Sequence, residues 1–379
     1  MKIAYIVGSL ATQGGTARII TEKANLLAMQ HGYAITIITC RQHQNEPNTY
    51  TLSDKITQVN LEIPLSSYYK YRFPKRLWVK WSVNRLLQKK ISETVNRIDP
   101  DIILGIIQCQ ADIISRISCR AKKIIECHEA RNYTLSGFGL NQSIFSRFNL
   151  SITRNRYFNT IEQYADVIVT LTEKDKLLWK KAKRVEVIPN FSTMNVTKFS
   201  DCTKKRIIAV GRLEWEKGYS RLLEIWKIVS NRHPDWQLDI YGSGTLQPVL
   251  ETLIRKNNIN NIYIHNFTKD ISLEYSDTSI CAVTSFFEGF SLVLLEAMKH
   301  GVPCVAFDCP FGPRSIIQDS LNGFLVIDGD IRLFAERLCL LIENTPLRKD
   351  FSQAAIERAK SFDVDVVMNK WMTLFESVL

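Results

Sequence analysis

Glu288 and Glu296 stand eight residues apart in Ser285-Phe286-Phe287-Glu288-Gly289-Phe290-Ser291-Leu292-Val293-Leu294-Leu295-Glu296, where a short apolar run ends and a helical pattern begins. In an open parallel sheet, ligands sit at that carboxyl end of a strand. The free amides of the following helix, here offered by Gly289, Phe290, Ser291 and Leu292, suit a diphosphate. A carboxylate is a poor direct neighbour for phosphate, so the two acids are expected to accept hydrogen bonds from sugar hydroxyls, Glu288 from a hexose and Glu296 from a ribose. The same residues also read as a carboxylate at a helix start and a solvated helix residue.

Gly211-Arg212-Leu213-Glu214-Trp215-Glu216-Lys217-Gly218 follows another strand end and brings two cations onto one loop. Arg212 and Lys217 there would neutralise a leaving diphosphate without a metal. The alternative is an ordinary charged loop. Gly14-Gly15 lacks the full Gly-x-Gly-x-x-Gly fingerprint, yet lets backbone amides approach an oxyanion or acceptor, with Arg18 one turn further on. His128, in Glu126-Cys127-His128-Glu129, ends a strand beside a reacting sugar carbon, or else is a capping or core histidine; Glu129 is the weaker candidate. Gly242-Ser243-Gly244 is a turn suited to nucleotide approach, His265-Asn266-Phe267 would frame the base, and Asp308 to Arg314 would close the floor.

Positioning these residues requires a particular alternation of elements. Short apolar strands are expected at 2–8, 33–40, 101–107, 123–127 and 167–171, with helices between, including 16–30. A polar stretch runs to about Lys205, and the pattern then restarts with strands 206–210, 236–241, 262–265, 280–283, 303–307 and 323–326. Helices are expected at 218–231, 245–257, 291–300, 330–343, 347–359 and 363–377. The prediction is an α/β chain of two Rossmann-like domains, residues 1–200 and 201–360, followed by a helical segment 361–379 that packs back on either domain.

Among 379 residues, 45% are hydrophobic and 23% charged, which is enough apolar material for two cores. Residues 1–200 carry 29 Lys/Arg against 15 Asp/Glu, whereas 201–379 carry 20 against 23, so a partner attracted by charge meets the first half. Nine cysteines without zinc-type pairs, and a start lacking a charged leader before an apolar segment, predict a reduced, cytoplasmic setting. No apolar run is long enough to cross a bilayer. The stretch 68–97 interleaves nine Lys/Arg and one acid with Tyr68, Tyr69, Tyr71, Phe73, Trp78 and Trp81, which fits an anionic membrane surface. A solvated basic helix is the alternative; nucleic acid is not expected, because no recognition motif accompanies the charge. No His/Asp cluster suggests a metal and no Walker loop suggests a kinase.

The chain resembles the retaining glycosyltransferases of family four, which have the GT-B fold of two Rossmann domains facing across a cleft. Glu288 and Glu296 match the family's Glu-x7-Glu signature; Gly211, Arg212, Lys217 and Gly218 match its Gly-Arg-x4-Lys-Gly loop; Gly14 and Gly15 match its Gly-Gly loop; and His128 matches its histidine near the donor sugar. The resemblance implies transfer of a hexose or N-acetylhexosamine with retention from a nucleoside diphosphate sugar, UDP by family habit, with GDP the alternative. It implies no cofactor beyond that donor. The implied acceptor is a glycan on a polyprenyl-diphosphate carrier, as in capsule, exopolysaccharide or lipopolysaccharide assembly at the inner membrane face. Ala17, Ser291 and Ser315 depart from the family's usual Glu, Gly and Glu. The alternatives are a nucleotide-sugar-binding assembly protein without turnover, and a phosphorylase or epimerase of similar form.

Overall fold

The computed structural model describes residues 1–12, 14–65, 67–131, 144–268 and 270–379, without the side chains of Tyr69 and residues 144–151. The chain divides into two compact units, Met1–Ile188 with Met368–Leu379, and Pro189–Val367.

The first unit is built on seven parallel strands: β1 Lys2–Val7, β2 Ala34–Thr39, β3 Thr57–Asn60, β4 Ile102–Ile106, β5 Lys122–Cys127, β6 Val167–Thr170 and β7 Val185–Val187. Their order is β3-β2-β1-β4-β5-β6-β7. Near-continuous runs such as Ile3 to Val7 and Ile102 to Ile106 are buried, as expected for strands covered by helices on both faces. β3 was not anticipated: Thr-Gln-Val-Asn has no apolar run, because an edge strand is covered on fewer sides.

The second sheet has six parallel strands: β8 Arg206–Val210, β9 Gln237–Tyr241, β10 Ile262–His265, β11 Ile280–Val283, β12 Cys304–Phe307 and β13 Gly323–Val326. Their order is β10-β9-β8-β11-β12-β13. Helix Tyr219–Arg232 carries Leu222, Leu223, Ile225, Trp226 and Val229 on one face and buries them against Ile207, Ile240 and Phe307. Each such side chain contributes roughly 1.5–3 kcal/mol on burial, and the Trp226 indole N–H donates to the Asn260 carbonyl at 2.9 Å.

Both sheets wind outward on one side and then return to the centre. The reversal falls between β1 and β4 in the first and between β8 and β11 in the second. In open α/β sheets the crevice at such a reversal, at the carboxyl ends of the strands, is where ligands bind.

The polar stretch after β7 is tied into the second unit, where Lys299 donates to the Ser192 carbonyl and the Ser200 amide donates to the His300 carbonyl. The last helix, Val364–Val378, crosses the division between the units. Its end belongs to the first unit, where the Tyr33 hydroxyl donates to Met372 Sδ and Arg184 donates to Ser377 Oγ.

Candidate functional site

The loops after β8 and β11, expected from sequence to share a ligand, interlock at the reversal point of the second sheet. Lys217 Nζ lies 2.8 Å from Glu288 Oε1, which also accepts from Ser285 Oγ at 2.7 Å. The Phe286 amide donates to the Glu216 carbonyl, and the Trp215 and Phe286 rings stack with centroids 4.6 Å apart. Arg221, which the sequence reading did not single out, donates to the Thr284 carbonyl at 2.6 Å and lies over the Phe286 ring. The cationic loop and the carboxylate loop therefore open onto one place. Glu288 takes only one of the three donors of the Lys217 ammonium.

Gly218 sits at φ 66°, and a Cβ there would overlap the Thr284 carbonyl oxygen. Gly218→Ala is therefore expected to separate the two loops and cost several kcal/mol in thermal or urea unfolding; unchanged stability would show that the loops yield. Gly242, expected to let a nucleotide approach, is also required by packing. A Cβ at that position would overlap the Gly211 carbonyl, so packing between the two loops already requires the glycine.

The remaining predicted residues are placed unevenly. Arg212 is exposed and paired with Glu216 at 2.6 Å along its own loop. Helix Leu292–Lys299 starts after Ser291 in extended conformation, with no side-chain cap on its first amides. Gly289 and Leu292 are half-buried, whereas Phe290 is buried edge-on against Phe362, so only its backbone is available to a ligand. Glu296 is buried within that helix, which removes the solvated reading. The Asp308 to Arg314 loop is closed by the Arg314–Asp308 fork and joins the Glu288 backbone, whose carbonyl accepts from the Gly312 amide at 3.0 Å. Phe267 is exposed, its amide donating to Ser243 Oγ at 3.3 Å. His265 is stacked on Tyr241 and bound to Asp239 at 2.6 Å.

In the first unit, Gly14 and Gly15 begin helix Gly15–Met29 after β1, and Arg18 is paired with Glu22 at 2.8 Å along that helix. His128 follows β5 and is buried. Its Nε2 is 3.2 Å from Glu126 Oε2, while Nδ1 is buried without a hydrogen-bond partner among the described residues. Glu126 also receives Lys23 Nζ at 2.6 Å and the Tyr5 hydroxyl. Lys23 is closed off by the Trp371 ring, 3.6 Å from Nζ to centroid. Burial pushes the Glu126 carboxyl up, but the Lys23 charge and the His128 contact outweigh it and hold the group down at about 2. Burial lowers Lys23, with Glu126 opposing, and burial together with Glu126 raises Tyr5 well above its ordinary value. An ionised Glu126 draws a proton to Nε2, and Nδ1 is the ring nitrogen left for a ligand hydroxyl.

Sequence reasoning missed Lys23, Glu126 and Tyr5. A signal for Lys23 exists: it lies on the apolar stripe of its helix, four residues from both Ile19 and Leu27, where a cation needs a buried partner. Glu126 likewise interrupts an apolar strand.

Residues 194–358 match the family model of glycosyl transferases group 1. Over 98% of both chains, the protein is 27% identical to an uncharacterized glycosyltransferase of Haemophilus influenzae and 29% identical to the amylovoran biosynthesis glycosyltransferase AmsD of Erwinia amylovora. It is 23% identical, over 100% of this chain and 99% of the other, to a Campylobacter jejuni α-1,4-N-acetyl-D-galactosaminyltransferase described by its diNAcBac-PP-undecaprenol-linked glycan. Among solved structures, S. aureus TarM in complex with Fondaparinux, α-GlcNAc-glycerol and UDP superposes with a TM-score of 0.78 over 99% of both chains at 16% identity, a likeness of fold. The chain has the GT-B fold of two parallel-sheet α/β domains, and its similarity to the group 1 glycosyl transferases supports a glycosyltransferase enzyme.

Proposed function

We propose that the protein is a retaining, metal-independent transferase moving a hexose or N-acetylhexosamine from a UDP-sugar to a sugar hydroxyl of a polyprenyl-diphosphate-linked surface-polysaccharide intermediate at the inner membrane face. The observation that carries this reading is the meeting of Lys217 and Glu288 at the strand-order reversal of the second sheet. AmsD's role in amylovoran biosynthesis and the Campylobacter enzyme's undecaprenol-linked glycan support the acceptor class, and the UDP bound to TarM supports the nucleotide.

The anomeric carbon–oxygen bond to the diphosphate breaks, with the electron pair leaving on the diphosphate. The acceptor oxygen bonds to that carbon from the same face and passes its proton to the departing phosphate. Lys217, Arg212 and the amides of Gly289 to Leu292 hold the charge that grows on the leaving group, stabilising the transition state more than the ground state. Glu288 accepts from a sugar hydroxyl and Glu296 from the ribose. Gly211, Gly242 and Phe267 border the nucleotide. In the first unit His128 Nδ1 accepts from a sugar hydroxyl, while Gly14, Gly15 and Arg18 serve the acceptor.

Mass-spectrometric screening of nucleotide sugars against a lipid-extract acceptor pool tests the reaction class, and NMR of the product's anomeric centre tests retention. Glu296→Gln is expected to weaken UDP binding about tenfold or more in calorimetry, as loss of a charged hydrogen-bond acceptor would; affinity equal to wild type removes the ribose contact.

A further inference from the structure

Helix Lys75–Ile98 begins in a way that its own packing does not explain. Its buried residues are Val83, Leu87, Ile91, Thr94 and Val95, so the core stripe starts only in the third turn. The first two turns nevertheless carry Leu77, Trp78 and Trp81, which are 59%, 67% and 58% exposed, and the preceding loop carries Phe73, 80% exposed. Six residues separate Leu77 from Val83 and Trp81 from Leu87. At 3.6 residues per turn Trp81 is turned about a third of a turn from Leu87 and Trp78 lies nearly opposite the middle of the core stripe, whereas Leu77, about five turns before Val95, lies at that stripe's edge. Trp78 and Trp81 are therefore directed away from the unit's own interior, and Leu77 and Phe73 stand exposed beside them.

The charges around them share one sign. Arg72, Lys75, Arg76, Lys80 and Arg85 fall between Tyr71 and Leu86 without a single acid. Lys75 Nζ lies 4.8 Å from the Tyr71 ring centroid, and Arg85 lies 5.3 Å from that of Trp81. Large amphipathic rings interleaved with cations match the headgroup zone of a bilayer, where rings enter the acyl boundary and cations meet anionic headgroups. Among the described residues no helix is long and apolar enough to cross a membrane.

We propose that Phe73, Leu77, Trp78 and Trp81, with the five flanking cations, form a seat for an anionic lipid surface, holding the first unit on the bilayer from one side. The seat deepens the reading of a lipid-linked acceptor, but it is observed independently of the donor residues.

The test is sedimentation of the full chain with vesicles of phosphatidylcholine alone and of phosphatidylcholine with phosphatidylglycerol. The wild type is expected to bind the anionic vesicles on the order of tenfold or more tightly than the neutral ones, with tryptophan fluorescence quenched by brominated acyl chains and binding weakened by salt. The double variant W78S/W81S is expected to lose most of that binding and the quenching while its circular dichroism and melting temperature stay unchanged, because both rings are exposed. K75Q/R76Q/K80Q should abolish the preference for anionic lipid.

Equal vesicle binding by wild type and W78S/W81S, absence of binding, or removal by W78S/W81S of a self-association or nucleic-acid affinity in place of a lipid one would each overturn the proposal. UDP affinity measured on the same samples separates failure of the seat from failure of the donor reading.

Discussion

Replacing Lys217 by alanine is expected to lower kcat for sugar transfer by about 10²–10³, the loss typical of removing one preorganised donor to a developing oxyanion. Lys217 alone among the predicted cations is both partly buried and joined to the second loop, through Glu288 at 2.8 Å. Arg212 is more exposed and, among the described residues, paired along its own loop with Glu216, so Arg212→Ala should cost less. Stability should change little by comparison, since the Lys217–Glu288 pair keeps some solvent contact that screens the abandoned carboxylate. Lys217→Arg should not restore turnover, because a planar fork cannot replace a compact ammonium beside Glu288. Transfer kinetics of Lys217→Ala within a factor of two of wild type would remove this residue from the mechanism.

The largest effect on folding is expected in the first unit. Lys23→Met leaves the buried Glu126 carboxylate without its main counter-charge, and should destabilise the protein by about 3–5 kcal/mol in urea unfolding. Lys23→Met combined with Glu126→Leu should be less destabilised than Lys23→Met alone, because a buried ion pair replaced on both sides leaves no orphan charge. Additive losses would show that the two residues do not act as a pair. Stability should also follow pH in a defined direction. Glu126 titrates at about 2 in the folded chain against 4.5 ordinarily, so the folded state favours the ionised form. That contribution, on the order of 3 kcal/mol, is present above pH 4.5 and is lost as pH falls toward 2. The variant lacking both partners should show a flatter profile over that window.

The pair also bears on His128. Glu126 holds one nitrogen of the ring, and the other has no partner among the described residues, so removal of Glu126 should disturb the tautomer even where the fold survives. Long-range nitrogen–proton NMR of the His128 ring reads that directly.

Much of the architecture was legible because parallel strands covered on both faces must be written as unbroken apolar runs. β8, β10, β11 and β13 lie at the expected residues, and most others within one or two. β3, the three-residue β7 and the short helix Ile271–Ser276 carry no such run and were not read. The cationic loop and the paired glutamates were legible because their spacing is local to one strand end each. That Lys217 and Glu288 touch was not, since 71 residues separate them and only the return of the chain to β11 beside β8 brings them together.

The sequence by itself determined the two alternating α/β units, the cationic and carboxylate loops, and the basic aromatic stretch, all of which are written in short-range periodicity and residue type. Tertiary structure alone decided the strand order, the burial of Lys23 against Glu126 and Trp371, the burial of His128 Nδ1 without a partner among the described residues, and the outward rotation of Trp78 and Trp81. The physical reason is that burial and pairing depend on which distant segments share a layer, and a linear pattern specifies the faces of its elements without naming their partners.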